Sequence, residues 1–260
     1  MGRRLGQHFL FRKSILDRIA RAVCVDECPV VIEIGPGKGA LTASLLELAS
    51  KVVAIEVDPY LVHYLRQKFS ADIEAGRLEL IEGDVLKTDF GALLHPAAGT
   101  GSIAGNLPYY ITSPILQRIF TSDVVWQRAV FLVQLEVANR LAASPGTRAY
   151  GYLSVLTQVH ARAGILFEVP RTAFRPPPKV DSAVISLEPR DAATAWNLSD
   201  TTGFLTFAAT CFRQKRKTLR NNLAPRYGHA RVDALPEGRL RAEQLSVAEL
   251  VALYQRLEAA

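Results

Sequence analysis

Apolar positions along the chain switch repeatedly between two periods. From Ser14 to Val23 they fall at 15, 16, 19, 20 and 23, the stripe of an amphipathic helix. Pro29–Ile34 is instead a short continuous apolar run, the form of a buried strand, and it stops at a glycine-rich turn, Gly35–Pro36–Gly37–Lys38–Gly39. Ala40–Leu48 returns to helical spacing, with Leu41, Leu45 and Leu48 on one face. Lys51–Val57 reads as a second strand, Tyr60–Phe69 as a helix, Leu78–Ile81 as a third strand, Ser102–Gly105 as a fourth and Ala129–Val133 as a fifth. Alternating strands and helices, with strands apolar on both faces, predict an α/β fold around a covered parallel sheet joined by right-handed crossovers.

The pattern changes towards the C-terminus. Phe174–Arg175–Pro176–Pro177–Pro178–Lys179 has three prolines in a row, which hold the backbone extended. Val180–Leu187 alternates as a strand does. Around Pro189–Ser199 the composition shifts to Ala, Thr, Asp and Asn, which places a boundary between a larger domain over 1–190 and a smaller one over 191–260. Beyond it, Phe204, Phe207, Ala208, Cys211 and Phe212 share one helical face, and a basic cluster follows at the helix's C-terminal end. Gln244–Leu257 reads as a closing helix, so the tail is expected to be helical.

Charge narrows the range of partners. The 260 residues carry a net +6, but residues 1–22 alone sum to +5 and residues 201–226 to +6, leaving the remainder acidic. Two concentrated basic segments suggest a polyanion, although a solvated helix face is the plainer reading of either one. Three cysteines, Cys24, Cys28 and Cys211, make no disulfide framework, and no second Cys/His pair completes a metal site after the C-x3-C spacing. No apolar stretch is long enough for a membrane span and no secretory signal stands at the N-terminus, so a reducing cytoplasm is expected, with a monomer as the default.

Candidate chemistry gathers at the ends of the predicted strands. The glycine turn lets backbone approach a ligand, and Glu56 closes the next strand, where an acid grips ribose hydroxyls. Nicotinamide and flavin enzymes share that arrangement, and a purely structural turn has it too. Asp84 follows the third strand. It suits an adenine amino group, with Val85 offering a backbone N–H, or else it is a helix N-cap. Asn106–Leu107–Pro108–Tyr109 follows the fourth strand. The Asn106 amide oxygen and the Leu107 carbonyl can accept from an exocyclic amine, Pro108 fixes the turn, and Tyr109 offers a ring for stacking. The combination points to methyl transfer onto a base nitrogen.

With GQHFL at 6–10, VIEIGPGKGALT at 31–42, Gly83–Asp84–Val85, NLPYYITSPIL at 106–116, FRPPPKVDSAV at 174–184 and FRQKRKTLRNNL at 212–223, the chain closely resembles the KsgA/RsmA small-subunit ribosomal RNA adenine dimethyltransferases. The resemblance runs from about residue 3 to the end. It implies a Rossmann-like S-adenosylmethionine-dependent methyltransferase fold with an antiparallel last strand and a small helical C-terminal domain. It also implies dimethylation at N6 of two adjacent adenosines in a hairpin loop near the 3′ end of 16S rRNA. Carried over by position, Gln7, His8, Leu10, Gly35, Gly37, Glu56, Asp84, Val85 and Asn106 would surround the cofactor. Asn106, Leu107, Tyr109 and Phe174 would hold the target base, with Tyr109 and Phe174 on its two faces. Arg213, Lys215, Arg216, Lys217 and Arg220 would contact RNA phosphates. His8 and Tyr110 both stand where Asn is common in the family. Rival readings are a 23S rRNA adenine methyltransferase of the macrolide-resistance type, a non-catalytic assembly or transcription factor, and a nicotinamide oxidoreductase, which would leave NLPYY without a role.

Overall fold

The structure is a computed structural model that describes residues 8–25, 28–93, 101–108, 111–122 and 125–258. The chain runs through β1 (Phe9–Leu10), α1 (Lys13–Val23), β2 (Val30–Ile34), α2 (Ala40–Leu46), β3 (Lys51–Glu56), α3 (Pro59–Lys68), α4 (Ser70–Glu74), β4 (Leu78–Glu82), α5 (Phe90–Leu93), β5 (Gly101–Asn106), α6 (Thr112–Phe120) and β6 (Trp126–Gln134). It continues through α7 (Leu135–Leu141), α8 (Tyr152–His160), β7 (Ala161–Val169), β8 (Phe174–Arg175), β9 (Ser182–Pro189), α9 (Ala192–Trp196), α10 (Thr201–Cys211), α11 (Leu219–Tyr227), α12 (His229–Asp233) and α13 (Val247–Glu258).

Seven strands form one sheet in the order β4-β3-β2-β5-β6-β9-β7. β4, β3, β2, β5 and β6 are mutually parallel, and β9 joins β6 antiparallel, with Phe131 opposite Ile185. Every residue of β2 is buried, as a central strand covered on both faces requires. β9 is buried from Ser182 to Leu187 rather than on alternate residues, because it lies inside the sheet between β6 and β7. α1 lays Leu16, Ile19, Ala20 and Val23 into the apolar core beside Val31, Val52 and Val130.

The strand order reverses at β2: the chain goes to β3 and β4 on one side, then returns to β5 and β6 on the other. Such a switch point leaves a crevice outside the carboxyl ends of the strands. Register brings those ends level, with Ile34 opposite both Ile55 and Gly105, and Glu56 opposite Glu82.

Several element ends differ from expectation by a few residues, and two of them have a clear local cause. β3 stops at Glu56, not Val57, because the Glu56 carboxylate folds back to accept from the Val57 and Asp58 amides. α2 stops at Leu46, and Leu48 is exposed; the Leu48 and Ala49 amides both turn back to the Leu45 carbonyl.

The chain forms two compact units. One extends through Ala138 and resumes over Gly164–Pro189; the other comprises Asn139–Ala163 and the residues from Arg190 on. The helical unit therefore takes in a segment that the 1–190 division left with the larger domain. Tyr150, Val155 and Val159 are buried in one apolar cluster with Phe204, Phe207 and Leu250, a pairing between distant helices that local periodicity does not reveal. Within this unit Asp200 caps α10 by accepting from Gly203 N at 2.8 Å, and it accepts from Tyr254 Oη of α13 at 2.9 Å.

Candidate active site

The carboxyl ends of β2, β3, β4 and β5 open into a cavity of about 750 Å³. The glycine turn forms one wall. Gly37 has φ +59°, and a Cβ there would lie 3.1 Å from the Phe9 ring, so the strand-like N-terminal segment rests directly on the turn. Just before Asn106, a Cβ on Gly105 would meet the Ile34 carbonyl at 2.6 Å, so the absence of a side chain there lets β5 lie close against β2.

Glu56 organises the turn. Its Oε2 accepts from Gly37 N at 3.1 Å, and its Oε1 accepts from Val57 N at 2.9 Å and Asp58 N at 3.0 Å. The side chain is 4% exposed, and burial raises its carboxyl above the usual range even though these amides favour the anion. Asp84 accepts from Leu86 N through Oδ1 at 2.9 Å, an Asx turn that directs the acid into the cavity wall beside Val85.

Asn106 ends β5. Its Nδ2 donates to the His8 carbonyl at 3.1 Å. A backbone carbonyl only accepts, so this contact identifies which end of the amide is nitrogen and leaves Oδ1 as the acceptor end. Leu107 N donates to Leu132 O at 3.1 Å, while the Leu107 carbonyl accepts no backbone hydrogen bond from the described residues. The Pro108 carbonyl accepts from Ile111 N and Thr112 Oγ1, both at 3.1 Å, so the turn is anchored on α6. His8 is held by its Nδ1–H, which donates to Pro176 O at 2.8 Å.

The family model for ribosomal RNA adenine dimethylases matches residues 2–259. The chain belongs to that family. A ribosomal RNA small subunit methyltransferase A from Chlorobaculum parvum is 43% identical over 258 residues, covering 98% of this chain and 89% of its own. The protein of that name from Xanthomonas oryzae pv. oryzae is 44% identical, covering 96% and 93%. Among solved structures, a dimethyladenosine transferase from Plasmodium falciparum superposes with a TM-score of 0.77 at 25% identity, covering 96% of this chain and 98% of that one. The 23S rRNA methyltransferase ErmE superposes with a TM-score of 0.70 at 26% identity, covering 96% and 99%. The protein is an S-adenosylmethionine-dependent rRNA adenine dimethyltransferase with the Rossmann-like fold of its family.

The cavity suits such a nucleoside. Glycine backbone, two acids at successive strand ends and an N–H donor beside the second form a donor set matched to ribose and adenine. A third acid fits the cationic methionine end. Glu33, in the middle of β2, lines the cavity, is 1% exposed, and has its Oε2 buried without a hydrogen-bond partner among the described residues. Burial, aided by the nearby Glu56 charge, pushes its carboxyl up to about 7. Lys68, also in the wall, donates to Lys38 O at 2.8 Å and braces the turn from α3. The sequence signal for Glu33 was present, since a lone acid in the run VVIEI has no structural reason to be there.

His8, Leu10, Gly35, Gly37, Glu56, Asp84, Val85, Asn106 and Leu107 all line this one cavity. Gln7 and Tyr109 lie outside the described residues. Phe174 does not line the cavity. It is 2% exposed and buried in the core with Leu10 and Leu16, and the β1–β8 pairing sets Leu10 opposite it. Leu10 and Leu16, which share this apolar cluster with it, both do line the cavity.

The basic cluster also differs. α10 ends at Cys211, and Arg213, Lys215, Arg216 and Lys217 lie in turns, not on a helix end. The buried Asn222 side chain shapes this loop: Nδ2 donates to Cys211 O at 2.8 Å, and Oδ1 accepts from Gln214 N at 3.2 Å. Lys215 donates to Arg148 O at 2.6 Å and lies 3.7 Å from Glu243. Arg220 pairs in a two-pronged contact with Asp233, one arm at 3.1 Å. Arg213, Arg216 and Lys217 are exposed, with no ion-pair partner among the described residues.

No helix among the described residues is long and apolar enough to cross a membrane. No group of three or more His, Cys, Asp and Glu side chains among them is placed to hold a metal ion.

Proposed function

We propose that this protein dimethylates N6 of two adjacent adenosines in a 3′-terminal hairpin loop of 16S rRNA, in the cytoplasm, as a step in small-subunit biogenesis. Relatives named for the small subunit match at 43–44% identity over nearly the whole chain, against 26% for ErmE, and this favours the small subunit over 23S rRNA. The observation that carries the catalytic reading is the Asn106–His8 contact, which commits Nδ2 and leaves Oδ1 to accept beside the Leu107 carbonyl.

The chemistry that S-adenosylmethionine supplies when bound is a methyl group already activated by its sulfonium leaving group. Glu56 accepts from the ribose hydroxyls, Asp84 and the Val85 N–H read the adenine, and Glu33 accepts from the α-ammonium. Asn106 Oδ1 and the Leu107 carbonyl accept the two N6 hydrogens of the target. The N6 lone pair is otherwise delocalised into the ring. Holding both hydrogens turns it out of plane towards the donor and offsets the charge that develops on nitrogen. The proton leaves to water after the bond forms, so no strong base is needed. The target base must be unpaired or extruded to reach these acceptors, which suits a hairpin loop.

The test is mass spectrometry of nucleosides after unmethylated small subunits and, in parallel, large subunits are incubated with protein and S-adenosylmethionine. N6,N6-dimethyladenosine in the small-subunit RNA is expected. Methylation of 23S rRNA alone supports the macrolide-resistance reading instead. Methylation of neither indicates a binding factor.

A further inference from the structure

The exposed apolar side chains include one that the catalytic reading does not use. Phe11 is 45% exposed, yet it lines the rim of the same cavity as Asn106. It is not loose. Its amide donates to Ala173 O at 3.2 Å, directly after the β1–β8 pairing, and Leu10 beside it is anchored in the core. Phe9 and Phe11, two residues apart in extended chain, share a face of this ribbon. The Phe9 ring is occupied by Gly37 and by Lys38 Nζ at 5.0 Å. The Phe11 ring instead carries the Arg175 guanidinium, centred 4.6 Å from its centroid, and remains open to solvent elsewhere.

Extruding a base strips its neighbour of a stacking partner. A fixed aromatic ring backed by a guanidinium is the surface on which an unpaired base of any identity stacks. The Asn106 amide holds the carbonyl of His8 in the segment entering this ribbon, so ring and catalytic acceptor are tied together.

We propose that Phe11, with Arg175 behind it, is the stacking platform for the nucleotide next to the extruded adenosine. The inference rests on the RNA methyltransferase reading above and adds a substrate-binding residue to it. In this role Phe11 acts on RNA binding and not on the methyl-transfer step.

The test uses the full chain with unmethylated small subunits and compares F11A, F11L and F11W. F11A and F11L are expected to raise KM for the subunit about tenfold or more while kcat stays within about twofold. F11W is expected to keep the wild-type KM. The dissociation constant of S-adenosylmethionine, measured calorimetrically, should be unchanged in all three, which also reports that each variant is folded. Wild-type KM in F11A, or F11L behaving as F11W does, overturns the platform. A wild-type protein that leaves small subunits unmethylated overturns the functional reading itself, and the platform with it.

Discussion

Asn106 Nδ2 donates to the backbone carbonyl of His8, 98 residues earlier in the chain, at 3.1 Å. The contact orients an amide that could otherwise flip, so the acceptor oxygen is presented before any substrate arrives. Preorganised groups of this kind contribute most where charge develops, and removing one costs about 10²–10³ in rate. Asn106→Ala should therefore lower kcat by about that factor while RNA affinity, read by filter binding, is retained. Asn106→Asp should be no better, because a carboxylate cannot donate to His8 and its oxygens would repel that carbonyl. A near-normal rate for either variant in a radiolabelled methyl assay would contradict the role.

Glu56 supports the site in two ways. Its carboxylate takes three backbone N–H groups, including that of Gly37, and it stands ready for ribose hydroxyls. Glu56→Ala leaves those donors without their partner, which should lower stability by about 1–3 kcal/mol. Loss of a charged acceptor should also weaken S-adenosylmethionine binding by about 10- to 100-fold. Thermal melts and calorimetric titration check the two effects separately. Wild-type cofactor affinity with a lowered melting temperature would reduce Glu56 to a purely structural role.

The strand ends carrying Glu56, Asp84 and Asn106 were legible in the sequence because each acid or amide stands at or within three residues of the end of a short apolar-rich run, and parallel register then brings the run ends level. The burial of Phe174 was not legible, because its partner in β1 is about 165 residues away and that pairing, not the local motif, sets its surroundings. The same limit hid α8: its buried face is matched by helices more than 40 residues downstream. Lys215 and Arg220 read as free cations in the one-dimensional charge count, yet each meets a carboxylate brought in by a later segment.

Gly105 has no side chain for a reason that can be tested directly. A Cβ would approach the Ile34 carbonyl at 2.6 Å, and neither backbone can yield within the sheet. Gly105→Ala should destabilise the protein by about 1–3 kcal/mol, the range for overpacking. Because Ile34 precedes the glycine turn, it should also lower cofactor affinity. Urea denaturation and calorimetry report the two, and an unchanged midpoint would show that β5 can shift away from β2.

Glu33 should give stability a recognisable pH signature. Its carboxyl is raised to about 7 from a reference of 4.5, chiefly by burial. Between these values the native state holds a proton that the unfolded chain has released, so stability falls as pH rises through the window and levels off above it. Glu33→Gln removes that decline. The variant should resemble the wild type near pH 4 and be more stable at pH 8, by up to about 3 kcal/mol if the whole shift is expressed. Urea midpoints from pH 4 to 8 test this as a difference between two proteins, which cancels the other titrating groups. Parallel curves would mean that Glu33 titrates in the native protein as it does in the unfolded chain.

The basic loop after α10 predicts an unequal division of RNA binding. Arg213, Arg216 and Lys217 are exposed without ion-pair partners among the described residues, whereas Lys215 and Arg220 already face Glu243 and Asp233. Each phosphate neutralised by a side-chain cation releases condensed counterions and contributes about 0.7 to the slope of log K against log salt on single strands. Neutralising Arg213, Arg216 and Lys217 together should flatten that slope by about 2 and weaken binding at low salt. Neutralising Lys215 and Arg220 should change it less, since each must first leave a carboxylate to reach a phosphate. The comparison is made by fluorescence anisotropy over a salt series with one RNA. A flattening of about 1.4 when Lys215 and Arg220 are neutralised, the same amount per cation as in the other set, would show that the internal pairs open on binding and that all five cations meet the RNA alike.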